Sequence, residues 1–240
     1  MFILPIIIYT VFLIALPILY IIIISFFKSD SYGGMIQTVT LQNYIELFDA
    51  DGRLVTEADG ESVTLDVQNV HLWDGLEDPY LYVLKASLIE NEVVLDEVSV
   101  NCGVRTFKVD PKEGFYLNGR KYPLHGVSRH QDYKGIGNAI TKEEHDRDME
   151  LIKEVGANTI RLAHYQHDQY FYDLCDEYGM VVWAEIPFIS MFLPKGKDNT
   201  ISQMKELVVQ NYNHPSIVVW GLSNEITMGG ENEELLANHR

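Results

Sequence analysis

The alternation of short apolar runs with longer amphipathic segments after Pro111 most constrains how this chain can fold. Such alternation is typical of parallel strands joined by crossover helices. The predicted strands are residues 122–127, 159–162, 181–184 and 217–221, and the predicted helices are residues 141–156, 168–178 and 201–212. Thr141 and Glu144 form a capping box at the start of the first helix, and Gly156 ends it. Four such units correspond to the first half of an eight-stranded α/β (TIM) barrel.

The preceding stretch has the pattern of antiparallel strands. Residues 62–70 alternate polar and apolar positions, as a half-buried strand does. Further strands are predicted at residues 80–89, 93–100 and 104–109. Asn91 and Glu92 indicate a turn between two of them. A complete immunoglobulin-like sandwich has about seven strands. We therefore predict only the C-terminal part of such a sandwich, with no chemistry of its own.

The N-terminal segment differs from the rest of the chain. Residues 2–27 carry no charge, and this run exceeds the roughly 20 residues that a helix needs to cross a membrane. A secretory signal would have a basic start, an apolar run of about 7 to 15 residues and a small-residue cleavage site, and none of these is present. We therefore predict a transmembrane helix, with Pro5 and Pro17 tolerated inside it. The composition changes near residue 50, so the predicted domains are residues 1–50, 51–110 and 111–240.

Composition limits the classes of partner. A formal net charge of −17 argues against nucleic acid, because an acidic surface repels phosphates. A neutral carbohydrate is compatible with that charge. Cys102 and Cys175 lie far apart without the spacing that metal or redox chemistry uses, so both are interpreted as core thiols. The sequence gives no indication of an oligomeric state.

Polar and ionisable residues follow each predicted strand of the half-barrel. They are His130 and Asp132, then His164, then Glu185, and finally Asn224 and Glu225. Taken alone, each is more often a capping or hydrogen-bonding group than a functional one. Reactive residues of such barrels lie at the carboxyl ends of strands, so their repeated position indicates one shared functional face.

The residue types at this face suit glycoside cleavage. That reaction needs a carboxylic acid to protonate the leaving oxygen and a second carboxylate to attack the sugar or activate water. Glu225 suits the first role, because the apolar strand 217–220 is expected to favour its neutral form. Asn224 is expected to donate to a sugar hydroxyl, as are His130, Arg161 and His164. Trp183 and Trp220 are each as consistent with core packing as with a sugar-stacking surface.

No metal or cofactor is expected at this face. His125 and His130 are five residues apart in a strand-to-loop region and do not share a helical face, which argues against zinc.

Several runs of the sequence occur in a characteristic order. They are residues 126–132, 158–165, 176–185 and 213–225, the last including Asn224-Glu225. Together they resemble glycoside hydrolase family 2, which includes β-galactosidases, β-glucuronidases and β-mannosidases. Within that family, the sequence is most similar to that of a β-galactosidase. The resemblance implies a retaining mechanism with Glu225 as acid/base. It also implies sugar contacts at His130, Asp132, Arg161, His164 and Asn224.

Two departures from the family pattern limit what the resemblance implies. Ile189 and Met191 stand where many β-galactosidases have magnesium ligands, so no magnesium site is expected. The family's nucleophile is a second Glu near the end of the seventh strand, whereas this chain reaches Arg240 just after the fourth. Glu185 is the only other strand-end carboxylate, and it is interpreted as a site-shaping residue. We therefore expect a hydrolase of terminal β-galactosides that is inactive as this polypeptide alone.

The first 50 residues resemble a different family. Residues 4–5, 16–20, 24–26 and 41–48 are similar to the first segment of an ABC sugar-transporter permease, which implies a chimera joined near residues 49–52. One rival hypothesis is therefore a membrane component of a sugar transporter with a misjoined passenger. Another is a non-catalytic sugar-binding fragment that retains His130, His164 and Asn224. The expected location is the membrane if residues 2–27 are genuine, and the cytoplasm for the glycosidase relative.

Overall fold

A computed structural model describes residues 42–60 and 62–228 of the 240-residue chain. The described part contains a four-stranded antiparallel sheet, a small three-stranded sheet and a four-stranded parallel sheet with helices. The antiparallel sheet consists of β1 Gln42–Phe48, β2 Leu54–Asp59, β3 Tyr82–Glu90 and β4 Val93–Cys102, in the order β2-β1-β3-β4. The small sheet consists of β5 Phe107–Asp110, β6 Gly114–Leu117 and β7 Arg120–Lys121.

The parallel sheet follows the small sheet along the chain. It consists of β8 Gly126–Arg129, β9 Thr159–Leu162, β10 Val181–Glu185 and β11 Ile217–Gly221, in the order β11-β10-β9-β8. The helices between these strands are α1 Lys142–Glu154, α2 Gln169–Glu177 and α3 Lys197–Asn211. The predicted half-barrel order of strands and helices is therefore confirmed. Strand β9 and strand β11 have the bounds that the sequence predicted.

The antiparallel sheet has one polar and one apolar face, because successive side chains of a strand point to opposite sides. On the polar face, Lys85 lies 2.5 Å from Glu46 and 3.7 Å from Glu97. On the other face, Ala86 of β3 is opposite Val98 of β4, and Val98 is 59% exposed. The β3–β4 hairpin turns at Asn91 and Glu92 as predicted, both with positive φ.

The expected join near residues 49–52 is a hairpin turn in the structure. Asp49 N donates to Arg53 O over 2.9 Å, and Gly52 N donates to Asp49 O over 3.0 Å. Strand β1, which the permease resemblance included, pairs with β2 on one side and β3 on the other. Residues 42–48 are therefore part of the sandwich sheet, because their backbone hydrogen bonds lie within it.

Other expectations concern the membrane. The predicted span, residues 2–27, lies outside the described residues. Within residues 42–60 and 62–228, the structure contains no helix long and apolar enough to cross a membrane.

The predicted strand at residues 62–70 is wrong. Val63, Leu65 and Val67 are less exposed than their neighbours, so the alternation read from the sequence is present. Residues 62–70 make no backbone–backbone hydrogen bond with any other described residue. A β-strand is defined by its backbone hydrogen bonds to a neighbouring strand. Residues 62–70 alternate in exposure but lack such bonds, so they are extended chain outside any described sheet.

Two boundaries of the small sheet and the first barrel strand also differ from prediction. Strand β5 begins at Phe107, three residues later than expected, and β8 begins at Gly126 rather than residue 122. Pro123 lies in the gap before β8 and has no N–H to donate to a ladder. The third helix begins at Lys197, because its polar first turn has no apolar periodicity for sequence reading to detect.

The main core lies between the parallel sheet and its helices. Fully buried side chains from α1, α2, α3 and the strands meet there, among them Met149, Ile160, Leu162, Phe171, Val182 and Leu207. The Thr141–Glu144 capping box that begins α1 is present as predicted. Cys175 lies in this core, as expected for a small apolar residue on a helix face.

The sandwich part and the half-barrel are joined by specific contacts. Trp73 is fully buried, and its Nε1–H donates to the backbone oxygen of Asp176 over 2.8 Å. Arg105 donates through Nε to Pro215 O over 2.6 Å and through Nη2 to Ile217 O over 2.7 Å. Gly179 has φ +71°, and a Cβ there would lie 2.1 Å from the backbone oxygen of Gly75. The close backbone approach at Gly179 therefore excludes any side chain.

Candidate active site

Three strand ends bring Arg161, Glu185 and Asn224 into contact. Arg161 lies in β9, Glu185 ends the adjacent β10, and Asn224 follows β11 by three residues. Arg161 Nε donates to Glu185 Oε1 over 2.5 Å, and Arg161 Nη2 donates to Asn224 Oδ1 over 2.7 Å. These contacts join residues from three separate parts of the sequence, because parallel strands end at the same edge of the sheet.

His164 completes the cluster. Its Nδ1 lies 3.0 Å from Glu185 Oε2 and 3.5 Å from Arg161 Nη2. The Ala163–His164 peptide bond is cis. The Glu185 side chain is only 3% exposed, and it is bound to Arg161 through one oxygen and to His164 through the other. Glu185 is therefore the centre of the cluster, whereas the sequence was interpreted as giving it only a site-shaping role.

The orientation of the Asn224 amide follows from its partner. A guanidinium has only donors, so the Asn224 atom facing Arg161 Nη2 must be the oxygen. The two N–H donors of Nδ2 are then left for a ligand. The backbone is held on both sides, because Asn224 N donates to Phe188 O and Ser190 N donates to Asn224 O, each over 2.9 Å.

Glu225 directly follows Asn224 and differs from Glu185 in its surroundings. It adopts the left-handed backbone conformation, with φ 55°, and its side chain is exposed. Among the described residues, no hydrogen bond or ion pair holds the Glu225 carboxyl. Glu225 lies four residues beyond the end of β11, and its exposure differs from the apolar burial expected from residues 217–220.

The first strand end contributes His130 and Asp132. The rings of His130 and His164 lie 5.1 Å apart, in an edge-to-face arrangement. His130 and Asp132 are both exposed, and no hydrogen bond among the described residues joins Asp132 to the Arg161–Glu185 pair. Gln131, between them, was missed by sequence reasoning. Its N–H donates to Tyr165 Oη over 2.9 Å, which ties the loop after β8 to the loop after β9.

Neighbouring aromatic and small residues shape the site. Trp183 is 43% exposed, and its ring lies 5.6 Å from the Arg161 guanidinium carbon. Trp220 instead packs against the core of the half-barrel. A Cβ at Gly221 would lie 2.4 Å from Trp183 Nε1 and 2.7 Å from Glu185 Cγ, so only glycine leaves room for both side chains. A glycine at a strand end was the available sequence signal for this crowding.

The described residues contain no group of three or more His, Cys, Asp or Glu side chains that could hold a metal ion. Ile189 and Met191, which the family resemblance compares with magnesium ligands, are both exposed.

The parallel sheet gathers carboxylate, guanidinium, imidazole and amide groups at its strand ends, as expected from the sequence for a glycoside hydrolase. Comparison with known families agrees. The model described as "Glycosyl hydrolases family 2, TIM barrel domain" matches residues 107–240, and the model described as "Glycosyl hydrolases family 2" matches residues 32–105. The chain belongs to glycoside hydrolase family 2. Because the second match begins at residue 32, it includes residues 41–48, and the permease chimera is not confirmed.

Individual relatives support the family and differ in substrate. The chain is 44% identical over 181 residues to a β-glucuronidase of Bacteroides fragilis, covering 72% of this chain and 26% of the relative. It is 32% identical over 200 residues to a β-galactosidase of Bacteroides ovatus, covering 75% and 23%. The chain thus spans about a quarter of the length of these relatives. The expected β-galactosidase specificity is not confirmed, because both activities occur among the relatives.

Solved structures give the same result. The FMN-binding β-glucuronidase from Facaelibacterium prausnitzii L2-6 superposes with a TM-score of 0.80 at 47% identity, covering 83% of this chain and 32% of that one. A β-glucuronidase from Ruminococcus gnavus, in complex with uronic deoxynojirimycin, superposes with a TM-score of 0.77 at 28% identity, covering 85% and 36%.

Proposed function

We propose that this chain belongs to a retaining β-glycosidase in which Glu225 is the acid/base and a terminal β-glucuronide is the substrate. The observation that carries the proposal is the contrast between two strand-end carboxylates. Glu185 is buried and bound by Arg161 and His164, whereas Glu225 is exposed and held by no described residue. A carboxyl must be free of permanent partners to exchange a proton with a leaving group, so Glu225 suits catalysis and Glu185 suits anchoring.

The proposed reaction has two steps. Glu225 gives its proton to the glycosidic oxygen as the bond to the anomeric carbon breaks, and a second carboxylate forms a covalent bond to that carbon. Glu225 then removes a proton from water, which attacks the anomeric carbon and releases the second carboxylate. That second carboxylate is placed outside the described residues, because Glu185 is already occupied by two donors.

The sugar is proposed to lie against the exposed side of the Arg161–Glu185–Asn224 cluster. Asn224 Nδ2 has two donors for sugar hydroxyls once Oδ1 is bound by Arg161. The adjacent rings of His130 and His164 supply further polar groups, and Asp132 is an acceptor at the same end of the sheet. These assignments give the residues roles in ligand contact rather than in proton transfer.

The choice of a β-glucuronide follows from the relatives, several of which are β-glucuronidases at 44% to 47% identity. A β-galactoside is the second candidate. It is supported by the Bacteroides ovatus relative and by the structure of a putative β-galactosidase from Bacteroides fragilis, which is 38% identical with a TM-score of 0.77.

The test uses Glu225→Gln in the protein expressed from its complete reading frame. With 4-nitrophenyl β-D-glucuronide and β-D-galactoside, we expect the glucuronide to be preferred and the variant to lose about 10²- to 10⁴-fold in rate. The loss should be greater for an alkyl glycoside than for the 4-nitrophenyl one, because a poor leaving group depends more on the acid. Glu150→Gln, at an exposed position of α1, is the matched control.

Three outcomes contradict the proposal. If Glu225→Gln and Glu150→Gln have equal rates, Glu225 has no catalytic role. If the loss is the same for both leaving groups, Glu225 does not act as the acid. If the unaltered protein binds the glycoside but never cleaves it, the sugar-binding hypothesis is correct instead. A preference for the galactoside would replace only the substrate assignment.

The 240-residue polypeptide by itself gives a separate test. Among its described strand-end carboxylates, Glu185 is bound by Arg161 and His164, and Asp132 is assigned to ligand contact. Glu225 alone has a proposed role in the reaction, where a retaining mechanism needs two carboxylates. We therefore expect no turnover of either 4-nitrophenyl glycoside by the purified 240-residue chain. Measurable release of 4-nitrophenol, absent in the Glu225→Gln chain, would contradict this expectation.

A further inference from the structure

Arg129, the last residue of β8, directly precedes His130 and takes no part in the contacts described above. It is only 5% exposed, and its guanidinium carbon lies 3.8 Å from the centre of the Phe171 ring. Asp148 of α1 accepts from Nε over 2.9 Å and lies 2.8 Å from Nη2. One buried charge is thus matched by one carboxylate.

The remaining guanidinium donors face two histidines. Arg129 Nη1 lies 3.1 Å from His167 Nδ1, and Nη2 lies 3.1 Å from His145 Nδ1. A guanidinium only donates, so both Nδ1 atoms must accept, and both imidazoles must be neutral with the proton on Nε2. Burial agrees with this state: it lowers the pKa of His167 to about 4, and it also lowers the pKa of His145.

The Arg129 hydrogen bonds lead to the backbone of Ala163, next to His164 of the site. The Ala163 N–H donates to the backbone oxygen of Arg129 over 3.0 Å. The Ala163 carbonyl accepts from His167 Nε2 over 3.1 Å. Ala163 directly precedes His164, and Arg129 directly precedes His130. The Ala163 N–H also lies 3.1 Å from the backbone oxygen of Arg161. The Arg129 side chain therefore reaches Ala163 at its carbonyl, through His167.

We propose that Arg129 is a positioning residue, which holds the imidazoles of His130 and His164 in register for the sugar through Asp148, His167 and Ala163. The inference rests on the proposed function, in which both imidazoles contact the sugar. It assigns Arg129 no contact with substrate.

The arrangement requires arginine and not merely a positive charge. The planar fork donates in three directions at once and also stacks on Phe171. Lysine at this position would keep the charge beside Asp148, but a single ammonium on a flexible stem does not reproduce the two separate bonds to the histidines. Arg129→Lys therefore separates charge balance from positioning.

The experiment measures kcat, KM and the affinity for uronic deoxynojirimycin in the protein expressed from its complete reading frame. Arg129→Lys is compared with Arg147→Lys, a matched change on the exposed side of α1. We expect Arg129→Lys to weaken inhibitor binding by about 10- to 100-fold, because small displacements of binding groups have effects of this size. Arg147→Lys should stay within about twofold of the unaltered protein.

A double-mutant cycle separates positioning from general stability. If Arg129 acts through His164, then Arg129→Lys should have little further effect on inhibitor affinity once His164 is replaced by alanine. If Arg129 had only a structural role, the losses of inhibitor affinity caused by Arg129→Lys and His164→Ala would add in the double variant. His167→Phe serves as a second variant if Arg129→Lys does not fold, because it keeps a buried ring and breaks only the link from the guanidinium to Ala163.

The outcomes distinguish this inference from the proposed function. If the unaltered protein neither cleaves the glycosides nor binds the inhibitor, the proposed function and the positioning role both fail. If the unaltered protein is active but Arg129→Lys and His167→Phe match Arg147→Lys, only the positioning role fails. Additive effects with His164→Ala would also overturn it. Loss of affinity by Arg129→Lys that disappears in the His164→Ala background supports it.

Discussion

The antiparallel sheet and the half-barrel use charged residues in opposite ways. In the sheet, Lys85 and Glu97 form a pair at 3.7 Å on a polar face, with side chains that are 27% and 46% exposed. In the half-barrel, Glu185 is 3% exposed at the side chain and shared between Arg161 and His164. Exposed pairs contribute little free energy, whereas a buried carboxylate needs all of its partners. This contrast is one reason for proposing that a ligand binds at the strand ends of the half-barrel.

The two regions also differ in their apolar surfaces. The half-barrel encloses its apolar residues between sheet and helices, and Val182 has no exposed surface. The sheet leaves apolar residues open on one side, with Val93 and Val98 each 59% exposed. A sheet normally buries its apolar face against another layer. The described sheet is thus one layer of a sandwich, in agreement with the family match over residues 32–105.

The largest loss of stability is expected when the contact between the antiparallel-sheet region and the half-barrel is removed. Trp73→Ala removes a fully buried ring and its bond to Asp176 O. We expect it to lower the free energy of unfolding by about 3–5 kcal/mol. Urea denaturation followed by circular dichroism measures the change. Val155→Ala, at a position 70% exposed, should stay within about 0.5 kcal/mol of the parent. Similar midpoints for the two variants would show that Trp73 does not join the regions.

Acid should weaken the half-barrel through the buried histidines. The pKa of His167 is about 4 in the folded chain because of burial, whereas the unfolded chain takes up the proton near pH 6.5. Stability is therefore lost as pH falls from about 6.5 to about 4, by up to about 3 kcal/mol for this one group. Burial lowers the pKa of His145 in the same direction. His214 acts oppositely: burial lowers its pKa, but the hydrogen bond and charge of Asp176, with the charge of Asp173, outweigh burial and raise the pKa.

The measurement is the urea midpoint at pH 7 and pH 5 for the parent and His167→Phe. The parent should lose more stability on acidification than the variant, which has no imidazole to protonate. Equal losses would remove His167 as the source of the pH dependence.

A smaller loss of stability is expected from replacing the buried carboxylate of the candidate site. Glu185→Gln keeps the shape of the side chain but removes the charge that Arg161 and His164 share. We expect a loss of about 1.5–3 kcal/mol in unfolding free energy, as for hydrogen bonds to charged groups. Inhibitor affinity should also fall, which calorimetry with uronic deoxynojirimycin checks. Glu97→Gln, in the exposed ion pair of the sheet, is the control and should be nearly neutral.

The smallest effect should come from the open face of the sheet. Val98→Thr places a hydroxyl where 59% of the residue is exposed, and we expect a change within about 0.5 kcal/mol. Val182→Thr places the same hydroxyl in the core and should cost about 1–3 kcal/mol. Thermal melts of both variants provide the comparison. A cost at Val98 equal to that at Val182 would show that another layer covers this face.

Local pattern predicted most of the half-barrel. The apolar runs at 159–162 and 217–221 are strands β9 and β11, and Thr141 caps α1, because short buried strands and capped helices have strong local signatures. Residues 62–70 show the limit of such reasoning. Their alternation is present, yet no described partner makes a ladder with them. The assignment of residues 41–48 to a permease segment is not confirmed for a related reason, since pairing with β2 and β3 is what places β1 in the antiparallel sheet.

The sequence by itself determined the family, the order of strands and helices in the half-barrel and the set of polar residues at the strand ends. Only the tertiary structure decided how those residues share their charges. It made Glu185 the buried partner of Arg161 and His164, left Glu225 exposed, and linked Arg129 through His167 to the carbonyl of Ala163. The reason is physical: residue type and periodicity are local, whereas burial and ion pairing depend on residues that are distant in sequence and meet only when the sheet forms.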